Sequence, residues 1–201
     1  MERGKLLVIS GPSGVGKSTA IKGVQALHPD MYFSISATTR NRREGDVDGV
    51  TYWFKTTEEF ENMIARGVFY EWARYGDNYY GTPMEPVDQR LQQGLDVIMD
   101  IDVQGALQIQ KRCADAVLIF LVAPSFAVLE QRLRGRADTS EEDMQKRLIQ
   151  ARWEYSQAGQ YDYLVISDTP ERTVKEIDCI LTAEKLRAHR RTYLLGLEES
   201  I

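Results

Sequence analysis

With 201 residues and a formal net charge of −5, the chain has the length of one domain, or of one core carrying inserted subregions. A composition of 43% hydrophobic and 27% charged residues is that of an ordinary soluble globular protein, and no basic run is long enough to track a nucleic-acid backbone, so no DNA or RNA partner is expected. No apolar run approaches the roughly 20 residues that span a bilayer, and the first apolar stretch is too short for a signal peptide.

The first predicted strand covers residues 5–10. It leads directly into Gly11, Pro12, Ser13, Gly14, Val15, Gly16, Lys17 and Ser18, the spacing G-x-x-x-x-G-K-S, and a helical pattern follows over 18–27. Strand, loop and helix in that order are the context a phosphate-binding P-loop requires. Its glycines let successive N–H groups turn towards one anion, and the positive end of the helix dipole adds to them. Lys17 would reach the outer phosphates, and the Ser18 hydroxyl would take a Mg²⁺ position. The chain is therefore expected to bind a nucleoside triphosphate.

Further strands are predicted at 32–36, 97–101, 117–122 and 163–166. Those at 97–101 and 117–122 are nearly unbroken apolar runs, as expected of strands buried on both faces of a parallel sheet. A helix over 57–67 takes Thr57 as its N-cap, Phe60, Met63 and Ile64 as its apolar stripe, and Gly67 as its end. Ser140 with Asp143 resembles a capping box, opening a helix with Met144, Leu148, Ala151 and Tyr155 on one face. Thr169 and Pro170 start another, striped by Val174, Ile177 and Leu181. Alternating strands and helices predict an α/β fold. Cys113 and Cys179 have no metal-like spacing and suit a reducing, cytoplasmic location, while His28 and His189 are isolated.

Two stretches break the alternation, from 34 to about 94 and from about 130 to 158, and these are natural places for a second-substrate site and a mobile cover. Arg40, Arg42 and Arg43 fall within four residues, near Tyr52, Tyr79 and Tyr80. Guanidinium forks grip phosphate oxygens in pairs, and tyrosine adds a neutral donor. Alone, the cluster also fits a solvated basic turn; beside a P-loop it favours a clamp for a phosphorylated acceptor.

Phe69-Tyr-Glu71-Trp72, Asn78-Tyr79-Tyr80-Gly81-Thr82, Asp100-Ile-Asp102-Val-Gln104-Gly105 and Arg132-Leu-Arg-Gly-Arg136 then follow in order, and with them the chain resembles the bacterial-type guanylate kinases from about residue 4 to 184. The resemblance implies a P-loop NTPase-type parallel sheet flanked by helices, with a nucleoside monophosphate-binding insertion at about 34–94, a lid at about 130–158 and a helical tail at 185–201. It implies Mg²⁺-dependent transfer of the γ-phosphoryl group of ATP to GMP, and to dGMP, giving ADP and GDP in purine nucleotide metabolism and GMP recycling. Residues Gly11 to Ser18 would hold ATP; Arg40, Arg43, Tyr52 and Tyr80 would hold the acceptor phosphate. Ser36, Glu71 and Thr82 would recognise the guanine edge, the carboxylate accepting N1–H and N2–H₂ together and the hydroxyls donating to O6. Asp100 and Asp102 would orient either the acceptor or a hydrated Mg²⁺, and they also fit strand-end carboxylates that cap the turn at Gln104 and Gly105. Lys17, Arg132, Arg136 and Arg147 would stabilise charge on the transferring group, whereas Arg134 and Lys146 suit solvated pairs with Glu130, Glu141 and Glu142.

The chain departs from the family at three positions. Arg42 replaces a usual proline, Ser167 a usual asparagine that contacts adenine, and Ala137 a common glycine whose loss stiffens the lid. Two other classes share part of the pattern. A phosphopeptide-binding scaffold module would keep the clamp but degrade the P-loop, which is intact here. A P-loop kinase for another phosphorylated acceptor would keep the clamp without Glu71, Ser36 and Thr82. A switch GTPase is disfavoured because it would need an Asn-Lys-x-Asp segment, which is absent. The expected partners are ATP and GMP or dGMP, with no nucleic acid and no membrane; self-association is left open.

Overall fold

A computed structural model describes residues 3–135 and 140–196. In chain order it contains β1 (Leu6–Ser10), α1 (Lys17–Leu27), β2 (Tyr32–Phe33), β3 (Ala37–Thr38), β4 (Trp53–Phe54), α2 (Thr57–Ala65), β5 (Phe69–Tyr75), β6 (Asn78–Pro83) and α3 (Met84–Gln92). Then come β7 (Val97–Asp100), α4 (Val103–Arg112), β8 (Val117–Val122), α5 (Phe126–Arg134), α6 (Glu141–Ser156), β9 (Tyr163–Ile166) and α7 (Pro170–Lys185).

All five residues of β1 are buried, because this strand lies in the middle of a parallel sheet ordered β2-β7-β1-β8-β9. Its side chains alternate between two cores, as the period of two dictates. Leu7 and Ile9 pack with Ala20, Val24, Leu129, Ile177 and Leu181 on one face. Leu6 and Val8 pack with Val87, Leu91, Ala106 and Ile109 on the other. Helices thus cover both faces, and the α/β architecture expected of the sequence is the one observed.

The stretch from 34 to 94 holds a second sheet that the strand pattern did not predict, ordered β4-β3-β6-β5. Its β5–β6 hairpin turns between Tyr75 and Asn78, with Gly76 at φ 59 in the left-handed region that a tight turn needs. Phe60 of α2 stacks on Phe69 at 4.6 Å and on Tyr79 at 5.3 Å, giving this sheet a small core of its own. The strand expected at 32–36 is shorter than predicted. Ser34 N–H still bonds Ile98 O at 3.0 Å, after which the chain leaves for β3 in the second sheet.

The N-cap of α2 is Thr56 rather than Thr57. Thr56 has the extended backbone a cap requires; its hydroxyl accepts from Glu59 N–H at 3.1 Å, and Glu59 accepts from Thr56 N–H at 2.7 Å. Ser140 caps α6 as expected, accepting from Asp143 N–H at 3.1 Å. Asp143 is one methylene shorter than glutamate, and its carboxylate accepts from the Ser140 hydroxyl at 2.8 Å instead of closing a full capping box. Thr169 caps α7 with Pro170 at its start. Beyond α7, residues 188–190 and 192–195 form two 3-10 turns, with Arg190 paired to Asp115 at 2.6 Å. Among the described residues, no helix is long and apolar enough to cross a membrane.

Candidate active site

The loop between β1 and α1 has Gly11, Gly14 and Gly16 at φ 139, 78 and 110, conformations a side chain rarely adopts. At Gly16 space is also short: a Cβ there would lie 2.8 Å from Ser167 Oγ. Val15 is fully buried and pins the loop to the core, while Ser13 and Ser18 are exposed. Lys17 folds back over the loop, its ammonium donating to Gly11 O at 2.7 Å and Pro12 O at 3.3 Å. The result is a glycine-bent loop at a helix N-terminus with a lysine at its mouth, the chemistry that holds polyphosphate.

A cavity of about 210 Å³ adjoins this loop, lined by Gly14, Gly16, Arg132, Ser167, Asp168 and Pro170 among others. Arg132 spans it, donating to Val15 O at 3.2 Å and to Asp168 O at 3.4 Å. Ser167 is 8% exposed and forms part of this wall.

A second cleft, of about 320 Å³, opens at the carboxyl ends of the strands. Asp100 is in register opposite Ile9 of β1, and Ile101 N–H bonds Ile9 O at 3.1 Å, so the cleft lies one strand away from the P-loop. This is where open α/β sheets place ligands. Ser36, Tyr52, Glu71, Tyr80, Asp100 and Asp102 line it, joined by Ala73, Tyr75 and Ile101. Six of the nine residues expected at the acceptor site therefore meet in one place. Ala73 and Tyr75, absent from the sequence reading, follow Glu71 at the strand period of two and were visible to that signal.

Glu71 is 7% exposed, and burial pushes its carboxyl up to about 7, with the neighbouring Asp102 adding to the rise and a bond from Thr82 opposing it. Thr82 does not line the cleft. It is fully buried, and its hydroxyl, expected at guanine O6, donates here to Glu71 Oε1 at 2.7 Å. Ser36 Oγ lies 3.5 Å from Thr82 Oγ1 and is the hydroxyl that faces the cleft. Asp100 and Asp102 are both shifted upwards by burial, with Lys17 close enough to oppose the shift. Asp102 is also the N-cap of α4, accepting from Gly105 N–H at 2.7 Å, so the capping role and a place in the cleft coexist.

Arg40 reaches this cleft by way of Tyr52. Its guanidinium lies 5.3 Å from the Tyr52 ring centroid, and Tyr52 in turn meets Tyr80 edge-on at 6.0 Å. Asp46 accepts from Arg40 Nη1 at 2.8 Å and from Arg43 N–H at 2.7 Å, and the Arg40 bond holds its carboxyl below the usual range. Asp46 was missed in the sequence; its only signal is an acid within a glycine-bearing basic turn. Arg43 is exposed beside it, and Arg42 pairs with Asp48 at 3.3 Å. On α5 and α6, Arg134 pairs with Glu130 and Glu141, and Lys146 with Glu142, as solvated pairs. Arg147 on α6 is half-buried and makes no ion pair with a described residue. Arg136 and Ala137 lie outside the described residues. Among the described residues, no cluster of three or more His, Cys, Asp or Glu side chains is arranged to hold a metal ion unaided.

A sequence model of the guanylate kinase family matches residues 3–184. The guanylate kinase of Carboxydothermus hydrogenoformans is 44% identical over 201 residues, covering 100% of this chain and 98% of that protein. That of Rickettsia felis is 45% identical over 186 residues, covering 92% of this chain and 97% of its own length. The crystal structure of guanylate kinase from Anaplasma phagocytophilum superposes with a TM-score of 0.76 at 30% identity, covering 98% of this chain and 96% of its own. With matches over nearly its whole length, a cradle for polyphosphate and a second cleft beside it, the chain belongs to the guanylate kinase family.

Proposed function

We propose that the protein catalyses Mg²⁺-dependent transfer of the γ-phosphoryl group of ATP to GMP and to dGMP, releasing ADP and GDP or dGDP. The observation that carries this reading is the buried Glu71 carboxylate in a cleft one strand from the P-loop. A carboxylate there accepts from guanine N1–H and N2–H₂ together, and Ser36 supplies the donor for O6. Adenine, with an acceptor at N1 and no 2-amine, would leave Glu71 desolvated and facing a lone pair.

The P-loop N–H groups hold the ATP phosphates, and Lys17 exchanges its bonds to Gly11 and Pro12 for phosphate oxygens. Arg40, Arg43, Tyr52 and Tyr80 hold the acceptor phosphate, with Asp46 keeping Arg40 over the Tyr52 ring. Arg132, Arg136 and Arg147 add positive charge around the transferring group and exclude water as the lid closes. The exposed Ser18 hydroxyl on the first turn of α1 and the Asp100 carboxyl fit a hydrated Mg²⁺ carried on the phosphates. That ion supplies charge neutralisation at the phosphate oxygens. The parts divide as a core within 4–184, an acceptor-binding insertion at about 34–94, a lid at about 130–158 and a tail at 185–201. The setting is cytoplasmic purine nucleotide metabolism, including GMP recycling.

A coupled ADP-release assay with ATP and either GMP or dGMP tests the reaction. Both acceptors should turn over, chelation of Mg²⁺ should stop them, and excess Mg²⁺ should restore them. A folded protein that binds GMP and releases no ADP would contradict the reading in favour of a binding module.

A further inference from the structure

As the outer strand of the small sheet, β5 has one backbone edge without a strand partner among the described residues, and the groups on such an edge need partners from elsewhere. Helix α4 of the core supplies them. Gln108 presents its carboxamide as a substitute strand residue: Nε2 donates to Trp72 O at 3.0 Å and Oε1 accepts from Trp72 N–H at 3.2 Å. One turn further on, Arg112 donates to Phe69 O. One turn earlier stands Gly105, where a Cβ would lie 2.9 Å from Glu71 Oε2 and 2.5 Å from Ile101 Cγ2. These three residues are spaced i, i+3 and i+7 and so share one face of the helix.

The anchored positions bracket an irregularity. The β5–β6 ladder shifts register between Phe69 and Glu71, and Glu71, opposite Thr82, is the first ladder residue beyond the shift. Phe69 and Trp72, on either side of the shift, are the residues that α4 holds. Glu71 lies between them and faces the gap left by Gly105.

We propose that α4 is the ruler for base recognition and that Gln108 is a positioning residue for the known reaction class, acting on the acceptor through Trp72 and Glu71. Gln108 is not among the residues that line the cleft. The inference rests on Glu71 being the guanine-recognising group, and the test separates the two ideas. Gln108→Met keeps the length of the side chain and removes both bonds. It should raise KM for GMP about tenfold, as for loss of well-made polar contacts, with KM for ATP and kcat at saturating GMP within about twofold. The preference for GMP over IMP, which lacks the 2-amine, should narrow.

In a Glu71→Ala background the same change should add nothing to the GMP KM, since its effect runs through Glu71. Unchanged GMP KM in Gln108→Met, where Glu71→Ala alone raises it, overturns the positioning role and leaves base recognition standing. A uniform loss in both KM values and kcat, or an undiminished effect in the Glu71→Ala background, also overturns it. If Glu71→Ala itself leaves the choice of acceptor intact, base recognition by Glu71 fails and this inference falls with it. Should Gln108→Met not fold, Gln108→Glu, which retains the acceptor for Trp72 N–H and lacks the donor for its carbonyl, is judged by the same measurements.

Discussion

Thr82 donates its one hydroxyl hydrogen to Glu71 at 2.7 Å, with Thr82 fully buried and Glu71 7% exposed. The bond orients the carboxylate, and Ser36 is the aliphatic hydroxyl residue that lines the cleft. The bond also favours the charged form, yet burial outweighs it, and the Glu71 carboxyl sits at about 7 against an ordinary 4.5. Two pH effects of opposite sign follow.

The proposed guanine contact requires an ionised Glu71, so GMP affinity should fall about tenfold between pH 8 and pH 6. The acceptor phosphate titrates near pH 6 as well, so the comparison is with Glu71→Gln, measured calorimetrically across the same range. Equal profiles for the two proteins would remove Glu71 from the base site. Stability runs the other way. The folded protein keeps a proton that the unfolded chain releases between 4.5 and about 7. This contribution is full below 4.5 and is lost as pH rises through about 7. The Tm of Glu71→Gln relative to the parent should therefore rise from pH 5 to pH 8.

Lys17 is held by two loop carbonyls and packs into no core cluster. Lys17→Ala should fold normally by circular dichroism and lose on the order of 10²–10³ in kcat, the usual cost of one preorganised charge-stabilising donor. Parent-like turnover would mean that the loop does not hold the donor phosphates.

The contacts of Arg40 lie on the acceptor side: Asp46, Asn41, Tyr52 and Phe54. Arg40→Met should weaken GMP binding far more than ATP binding and leave guanosine binding nearly unchanged. Separate titrations of the three ligands check this. Equal losses for GMP and ATP would show that Arg40 maintains the fold of its loop instead of gripping phosphate.

Arg132 bridges the P-loop and the start of α7, so Arg132→Ala should raise KM for ATP and lower kcat while KM for GMP stays within about twofold. Arg136→Ala should lower kcat with little change in GMP affinity, its charge being needed as the transition state forms. Steady-state kinetics with each substrate varied separate these patterns from a solvated basic surface, for which kcat would not move.

The parts of the fold visible in the sequence were those with long local patterns. The strands β8 and β9 were bounded correctly because their apolar runs end at turn residues, and the P-loop declared itself by spacing. The second sheet was not visible: β3 and β4 have two residues each, too few to show a period of two, and their pairings, β3 with β6 and β4 with β3, join segments distant in sequence. The cap of α2 fell one residue early because Thr56 and Thr57 are chemically alike and only the distance to Glu59 distinguishes them. Within the site, residue types were legible but partners were not. Thr82 to Glu71 crosses one hairpin and Arg40 to Asp46 closes one loop, and neither pairing is marked by a periodic pattern in the sequence.

The central claim is that Glu71 selects guanine as the acceptor base. The most direct measurement is kcat/KM for GMP, dGMP, AMP, UMP and CMP, by coupled ADP release, in the parent, in Glu71→Ala and in Glu85→Ala as a neighbouring control. The parent should prefer GMP over AMP by roughly 10⁴-fold or more, as sites built on such pairing can. Glu71→Ala should lose most GMP activity and narrow that ratio, and Glu85→Ala should change neither. A parent that phosphorylates AMP as well as GMP, or a Glu71→Ala protein with its full preference for GMP, would contradict the account.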